Sequence, residues 1–596
     1  MKSFKLNIGR FSHAIKTIAL GAVLAMTCSC EDFLTIYPTD KVVLENYWKT
    51  KTDVENVVAN SYRMMVQSAF THRLLVWGEL RGDNVVEGVY EGKHTDVKNI
   101  MEANLLPQNG YNDWSQFYAI INNCNIVLKF APQVMEEDPD YTQGDLNVTR
   151  GEMLALRALC HFYLVRAFRD IPLLKEAMVD DDQELYQKQA TPIEALDFIL
   201  EDLYEAEGLV MASGNYPNMA DNKGRITKDA VRAITADVLL WRAAFGQYAA
   251  KGNDQGVKQY YTECIAFCDS VLNNRMKYLK EYENENKVSY TAGRADEKYP
   301  ILLQPLSNAN ARYLDYPYYE VFYMRNNLRE SIFELQHSSI DQAGANFEVP
   351  YFYGSGFAAG PLSAPRYMAE KGTSDNLYAD TDFRRVSYIQ QSEGEKDQYP
   401  IIKYGYSSAS GTIDKPAYGA ANSIGTDGDG NPYFISQVNW IMYRVTDVML
   451  MKAEALALRN DTLARGSKDL NESFDLVKAV YYRSNPYKVT SADSITYSAG
   501  SAESLQELVL EERQRELAFE GKRWFDLVRK ALRDGETGPM LDILINHKYE
   551  TNQKAIRSKM SAMDCLFFPI SEREIKTNPL LKQNPAYETE DVYEKK

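Results

Sequence analysis

Through the first half of the chain, apolar residues recur three and four positions apart, the spacing of helices that bury one face. Thr52 and Glu55 form a capping-box pattern ahead of Val57, Val58 and Tyr62. Trp114, Phe117, Tyr118, Ile121 and Leu128 predict a helix over 111–129. A third helix spans 152–170 and stops before Pro172. Thr191-Pro192-Ile193-Glu194 combines a cap, a first-turn proline and a back-reaching Glu, and so predicts a helix start. Thr227 opens another helix, through Ala233, Ala236, Leu239 and Leu240. The small residues Ala155, Ala158, Ala230, Ala233 and Ala236 let antiparallel helices approach closely. Such helix pairs are what tetratricopeptide units look like, although no strict repeat of roughly 34 residues is visible.

The texture changes over residues 281–435. Helical periodicity fades while Gly, Pro, Asn, Ser and Tyr rise, which predicts a long loop-rich insertion. Tyr313, Tyr316, Tyr318, Tyr319 and Tyr323 cluster there, followed by Tyr351, Phe352 and Tyr353. Helical spacing returns at 443–458, at about 470–483, and at 504–532, read as one helix. In that last stretch Glu512, Arg513, Arg515, Glu516, Glu520 and Arg523 interleave with an apolar face. Opposite charges three or four apart describe a solvated, salt-bridged surface. Ser571 and Glu574 make a further capping box, and Asn578-Pro579 and Asn584-Pro585 signal turns.

Charge excludes one class of partner. The 596 residues carry a net −17 without a basic patch, which argues against nucleic acid. The 41 Tyr are the composition outlier. Tyr suits stacking on sugars, although packing is the more general use of any one of them. Lys2, Lys5, Arg10 and Lys16 precede a short apolar run, Ile18–Met26, so residues 1–29 read as a signal peptide. Cys30 is the favoured acylation site over Cys28 because small Ser29 precedes it; Leu24 sits six residues before it rather than three. An ordinary cleaved signal is the alternative. Removing residues 1–29 takes the charge to −21. Cys124, Cys160, Cys264, Cys268 and Cys565 remain, an odd number without metal spacing, and read as small buried hydrophobes. The run Asp427-Gly-Asp429-Gly-Asn431 opens like a calcium loop, but Pro432 and Val438 break the pattern. No GxSxG, HExxH or phosphate-loop motif is present, and no catalytic residue, metal or cofactor is expected.

Several runs, in order, resemble the SusD/RagB family: CEDFLTIYPTD at 30–40, WGELRGDNV at 77–85, WSQFYAIINNCNIVL at 114–128, ALRALCHFYLVRAFRDIPLL at 155–174, and MYRVTDVMLMKAEALAL at 442–458. EERQRELAFEGKRWF at 511–525 and PISEREIKTNPLLKQNPAY at 569–587 complete the set. The resemblance implies a mostly α fold: a tetratricopeptide-like scaffold over 30–280 and a second domain over 281–596 that includes the loop-rich segment. It implies an outer-membrane lipoprotein, facing outward, that captures glycans or peptides and delivers them to a SusC-like TonB-dependent transporter. The rival readings are a lipid-anchored glycoside hydrolase, which would need two facing carboxylates, and a helical scaffold without a ligand. In the family the 77–84 loop and the loop before Trp114 lie near the ligand. Candidate contacts are therefore Arg81, Asp83, Asn84, Asn109, Tyr111 and Asn112, with Tyr316, Tyr318, Tyr319, Tyr351 and Tyr353 from the Tyr-rich segment.

Overall fold

The structure is a computed structural model that describes residues 47–88, 94–179, 183–251, 256–286, 299–301, 318, 321–322, 330–336, 352–355, 358–359, 361–370, 376–389, 399–404, 422–426, 432–436, 439–459, 467–485, 495–497, 502–549 and 551–588. Helix α1 (Lys51–Met65) is capped by Thr50, which forms its box with Asp53. The box thus lies two residues before the predicted Thr52–Glu55 pair, because Thr52 is already inside the first helical turn. Helix α2 (Ser68–Gly78) follows. Helix α3 (Ser115–Glu137) begins after a separate 3₁₀ turn at Gly110–Asn112.

Helix α4 (Gln143–Phe168) starts nine residues before the expected position, with Thr142 and Asp145 as its capping box. Leu146 and Val148 are the only apolar residues of its first two turns, too few for hydrophobic spacing to reveal them. From Gly151 to Phe168 every residue is buried, the mark of a helix packed on all sides. Helix α5 (Pro192–Leu209) carries the predicted Thr191–Glu194 box. Helix α6 (Lys228–Ala249) begins at Thr227, whose side chain makes no capping bond. Ser213 Oγ instead accepts the Asp229 backbone N–H at 3.0 Å. Helix α7 (Val257–Asn286) packs on α6. Each helix from α4 to α7 lies against its predecessor, and α1 lies against α3. Stacked in this way, the amphipathic faces bury one continuous core.

The loop-rich segment contains a strand that its composition hides. Strand β1 (Ser331–Leu335) pairs antiparallel with β2 (Trp440–Arg444), and all ten side chains are buried. With both faces covered, the run has no alternation for a sequence reading to detect. Helix α8 (Val445–Arg459) follows β2 directly, so Tyr443 belongs to the strand. Helix α9 (Lys468–Ser484), α10 (Ala502–Leu517), α11 (Arg523–Asp534) and α12 (Gly538–His547) complete the larger elements. The 504–532 segment is therefore two helices. They break at Phe519 and Gly521, both left-handed, with φ of 68° and 71°. The short helix Glu572–Thr577 does begin at Ser571, but without a side-chain cap.

The predicted solvated face of α10 lies in the interior. Arg384, Arg444 and Arg483 are fully enclosed, as are Glu512, Glu516 and Glu520. Arg384 binds Glu512 at 2.6 Å and Asp382 at 2.8 Å. Arg444 binds Glu516 and Glu520, both at 2.7 Å, and Lys403 also reaches Glu520 at 2.7 Å. Arg483 bridges Glu330 and Glu516. Their partners come from beyond α10, where spacing along that helix cannot show them. Burial alone would raise the Glu516 pKa; Arg483, Arg444 and Arg384 outweigh it and hold the carboxyl at about 2. Cys124, Cys160, Cys264 and Cys268 are buried free thiols, as expected, and Cys565 is half-buried.

Candidate functional site

The 77–84 loop is built around a contact between two glycines. A Cβ on Gly78 would meet the Gly521 carbonyl oxygen at 1.8 Å, and one on Gly521 would stand 2.7 Å from the Leu74 oxygen. Backbones this close admit only glycine at both positions. The next residue, Glu79, is buried and accepts the backbone N–H groups of Phe519 at 2.9 Å and Lys522 at 3.1 Å. Asn84 donates to the same carboxylate at 2.8 Å.

The candidate contacts in this loop point inward. Arg81 lies 4.0 Å over the Trp524 ring and donates to the Leu566 and Cys565 oxygens at 2.7 and 2.6 Å. Asp83 accepts from Arg523 at 2.6 Å, from Gln514 at 2.9 Å, and stands 3.0 Å from His547 Nδ1. Arg81, Asp83 and Asn84 are each at most 2% exposed. Their contacts are made within the protein: Asp83 ties the loop to Arg523, Asn84 to Glu79, and Arg81 to the 565–566 backbone. Tyr318 and Tyr353 are equally buried: Tyr318 reaches Glu516 at 3.2 Å, and Tyr353 donates to the Phe519 oxygen at 3.0 Å. Tyr316, Tyr319 and Tyr351 lie outside the described residues, as do Cys30 and Asp427–Asn431.

The loop before Trp114 does reach the surface. Asn109 caps its 3₁₀ turn by accepting the Tyr111 N–H at 2.9 Å, and donates to the Asp96 oxygen at 3.0 Å. Asn112 donates to the Leu106 oxygen at 2.7 Å. Arg73 donates to the Gly110 oxygen at 2.9 Å, and Trp77 to the Tyr111 oxygen at 2.9 Å. Asn109 and Asn112 are thus buried supports, and half-buried Tyr111 is the side chain they present. Its ring lies 6.2 Å from His72 and 6.5 Å from Phe352, which themselves meet edge-on at 4.9 Å. Burial, aided by Arg73, lowers the His72 pKa to about 4, so this aromatic cluster is uncharged near neutral pH. Sequence reading missed His72; its one signal was an isolated imidazole in the apolar run before Trp77, too weak to single out.

A family model described as "SusD family" matches residues 330–587, and one described as "Starch-binding associating with outer membrane" matches residues 33–240. The chain belongs to the SusD/RagB family. The SusD-like protein P38 of Formosa agariphila is 24% identical over 97% of this chain and all of that protein. A second SusD-like protein of the same organism, P2, is 24% identical over 87% of this chain and 91% of its own length. Among solved structures, a SusD homolog from Bacteroides thetaiotaomicron superposes with a TM-score of 0.61 at 19% identity, covering 90% of this chain and 99% of its own. NanU of B. fragilis gives 0.62 at 17% identity over 93% and 100%. The mostly helical, tetratricopeptide-like architecture is thus the SusD fold. The 518–523 turn and its ion cluster lie inside the SusD/RagB match, and the 77–84 loop lies inside the other. Among the described residues no helix is long and apolar enough to cross a membrane.

Proposed function

We propose that this chain is a lipid-anchored binding protein of the outer membrane. In this reading Cys30 carries the lipid, the protein faces outward, and it captures oligosaccharides or other nutrients for a SusC-like TonB-dependent transporter. Membership of the SusD/RagB family supports the reading, as does the description of a matching family as starch-binding and associated with the outer membrane. The observation that carries it is half-buried Tyr111, backed by His72 of α2 and by buried Phe352, on a loop pinned by five hydrogen bonds of Asn109, Asn112, Arg73 and Trp77. A fixed aromatic face is what a sugar ring stacks on, and pinning it in advance lowers the entropy cost of binding. Tyr316, Tyr319 and Tyr351 are proposed as further ligand contacts.

The role proposed is binding without catalysis. Glu512, Glu516, Glu520 and Asp83 are each matched to buried cations, which leaves them unsuited to proton transfer. A glycan-array screen of the mature protein tests the reading. Retention of one glycan class by the wild type, weakened in Tyr111→Ala, is expected. Absence of retention across glycans and peptides by a folded protein would count against it.

A further inference from the structure

A cavity far from Tyr111 in the chain lies where the loop at 211–218 and the short helix Met219–Gly224 meet α6 and α7. It has a volume of about 290 Å³ and is lined by residues including Ser213, Asn215, Lys223, Asp229, Asn274 and Arg275. This is close to the lower end of the ~300–1,000 Å³ typical of ligand pockets, room for one small ring.

Two basic side chains line it: Lys223, 2% exposed, donates to the Ser331 oxygen and has Glu334 nearby, and Arg275 is 6% exposed. Burial, and then the neighbouring Arg275, push the Lys223 pKa well below its ordinary value. The one enclosed carboxylate on the wall, Asp229, takes its hydrogen bonds from Asn274 Nδ2, at 3.0 and 2.8 Å. Arg275 Nε stands 3.2 Å from Asp229 Oδ2 yet makes no hydrogen bond. Among the described residues, neither Nη of Arg275 makes one either. Nε is thus a buried donor without a hydrogen-bond partner, and the two Nη are left to whatever fills the cavity. At the mouth, Glu281 is 3.8 Å from Lys277 and so is already matched.

We propose that this cavity binds a small hydroxylated carboxylate, a sugar acid, with its carboxylate on the Arg275 fork. A planar carboxylate fills a guanidinium with two parallel hydrogen bonds. Asn215, on the loop side of the wall, is placed to meet a ring hydroxyl. The site stands independently of the Tyr111 face, and either can fail without the other.

Calorimetric titration of the folded, mature protein with glucuronate tests this, with glucose and inorganic sulfate as comparison probes. One saturable glucuronate site is expected, with glucose silent under the same conditions. Arg275→Met keeps the volume and removes the fork, and should weaken binding by about tenfold or more. The Asn215 side chain is exposed and makes no hydrogen bond among the described residues, so Asn215→Asp places a negative charge at the rim without removing a contact of the fold; it should also weaken glucuronate. Should Arg275→Met fail to fold, Asn215→Asp alone decides. Glucuronate binding that is absent at millimolar concentration, unchanged in both variants, or replaced by sulfate binding alone would overturn the proposal.

Discussion

The Glu79 carboxylate accepts the Phe519 backbone N–H at 2.9 Å, across 440 positions of sequence. With the Lys522 N–H at 3.1 Å it holds the left-handed turn that separates α10 from α11. The same turn places Glu520 on Arg444 and Arg523 on Asp83, so one carboxylate organises the junction between a charged core and the 77–84 loop. Replacing Glu79 with Ala leaves two buried N–H groups unmet, at about 1–3 kcal/mol each. Glu79→Gln keeps one acceptor oxygen and should cost less. Urea unfolding midpoints at matched m-values would show the order Glu79→Ala below Glu79→Gln below wild type.

Gly521→Ala puts a Cβ 2.7 Å from the Leu74 oxygen at a φ of 71°. Strain of this kind costs about 1–3 kcal/mol before any clash is relieved. Gly78→Ala, with its Cβ 1.8 Å from the Gly521 oxygen, should be worse still, because backbone rather than a side chain must move. Gly535→Ala has nothing within 4 Å of its Cβ and carries only the penalty of its φ of 74°. Thermal unfolding of the three variants should rank Gly78 lowest and Gly535 highest.

Arg444→Met strips one cation from Glu516, which keeps Arg483, and from Glu520, which keeps Lys403, and leaves both carboxylates enclosed. Breaking a buried pair from one side costs about 3–5 kcal/mol. The exposed Arg150–Glu205 pair is just as short, at 2.5 Å, but both side chains are more than two-fifths exposed. Arg150→Ala should therefore cost under about 1 kcal/mol. Chemical denaturation of the two variants separates them; equal losses would mean that the core cluster adds no more than a surface pair.

Acid should destabilise the fold over a defined window. Burial would raise Asp447, but Lys522 and Arg513 hold it at about 2, as the three arginines hold Glu516. Both lie below their ordinary values of 3.8 and 4.5. Between about pH 4.5 and 2 the unfolded chain takes up these protons while the folded chain does not, so stability falls as pH falls. Each shift corresponds to about 2–3 kcal/mol, fully present above pH 4.5 and lost below pH 2. Glu512 opposes them, since burial raises its pKa and it accepts a proton more readily when folded. Unfolding free energy measured from pH 6 to pH 3 should fall, and less steeply in Glu516→Gln.

What could be read from sequence was what depends on near neighbours. The Thr191–Glu194 box is complete within four residues, and it stands as read. The break at Phe519 is different: its causes, Gly78 and Glu79, lie in a distant loop. The charges of α10 have surface spacing, and only Arg384, Arg444 and Arg483 from other segments draw them inside. Arg81 and Asp83 are withdrawn from the surface for a related reason. Arg81 and Asp83 have the side chains of a sugar site, but Trp524 and Arg523 take them first. Tyr353 and Tyr111 look alike in sequence, yet one ends on a backbone oxygen in the core and the other at the surface.

The most direct measurement is calorimetric titration of the mature protein with the oligosaccharide that the array identifies, followed by recovery of the sugar. The account predicts saturable heat, binding weakened by about tenfold in Tyr111→Ala from loss of one stacking face, and a ligand recovered intact. Cleaved sugar, or an affinity indifferent to Tyr111 and His72 together, would contradict it.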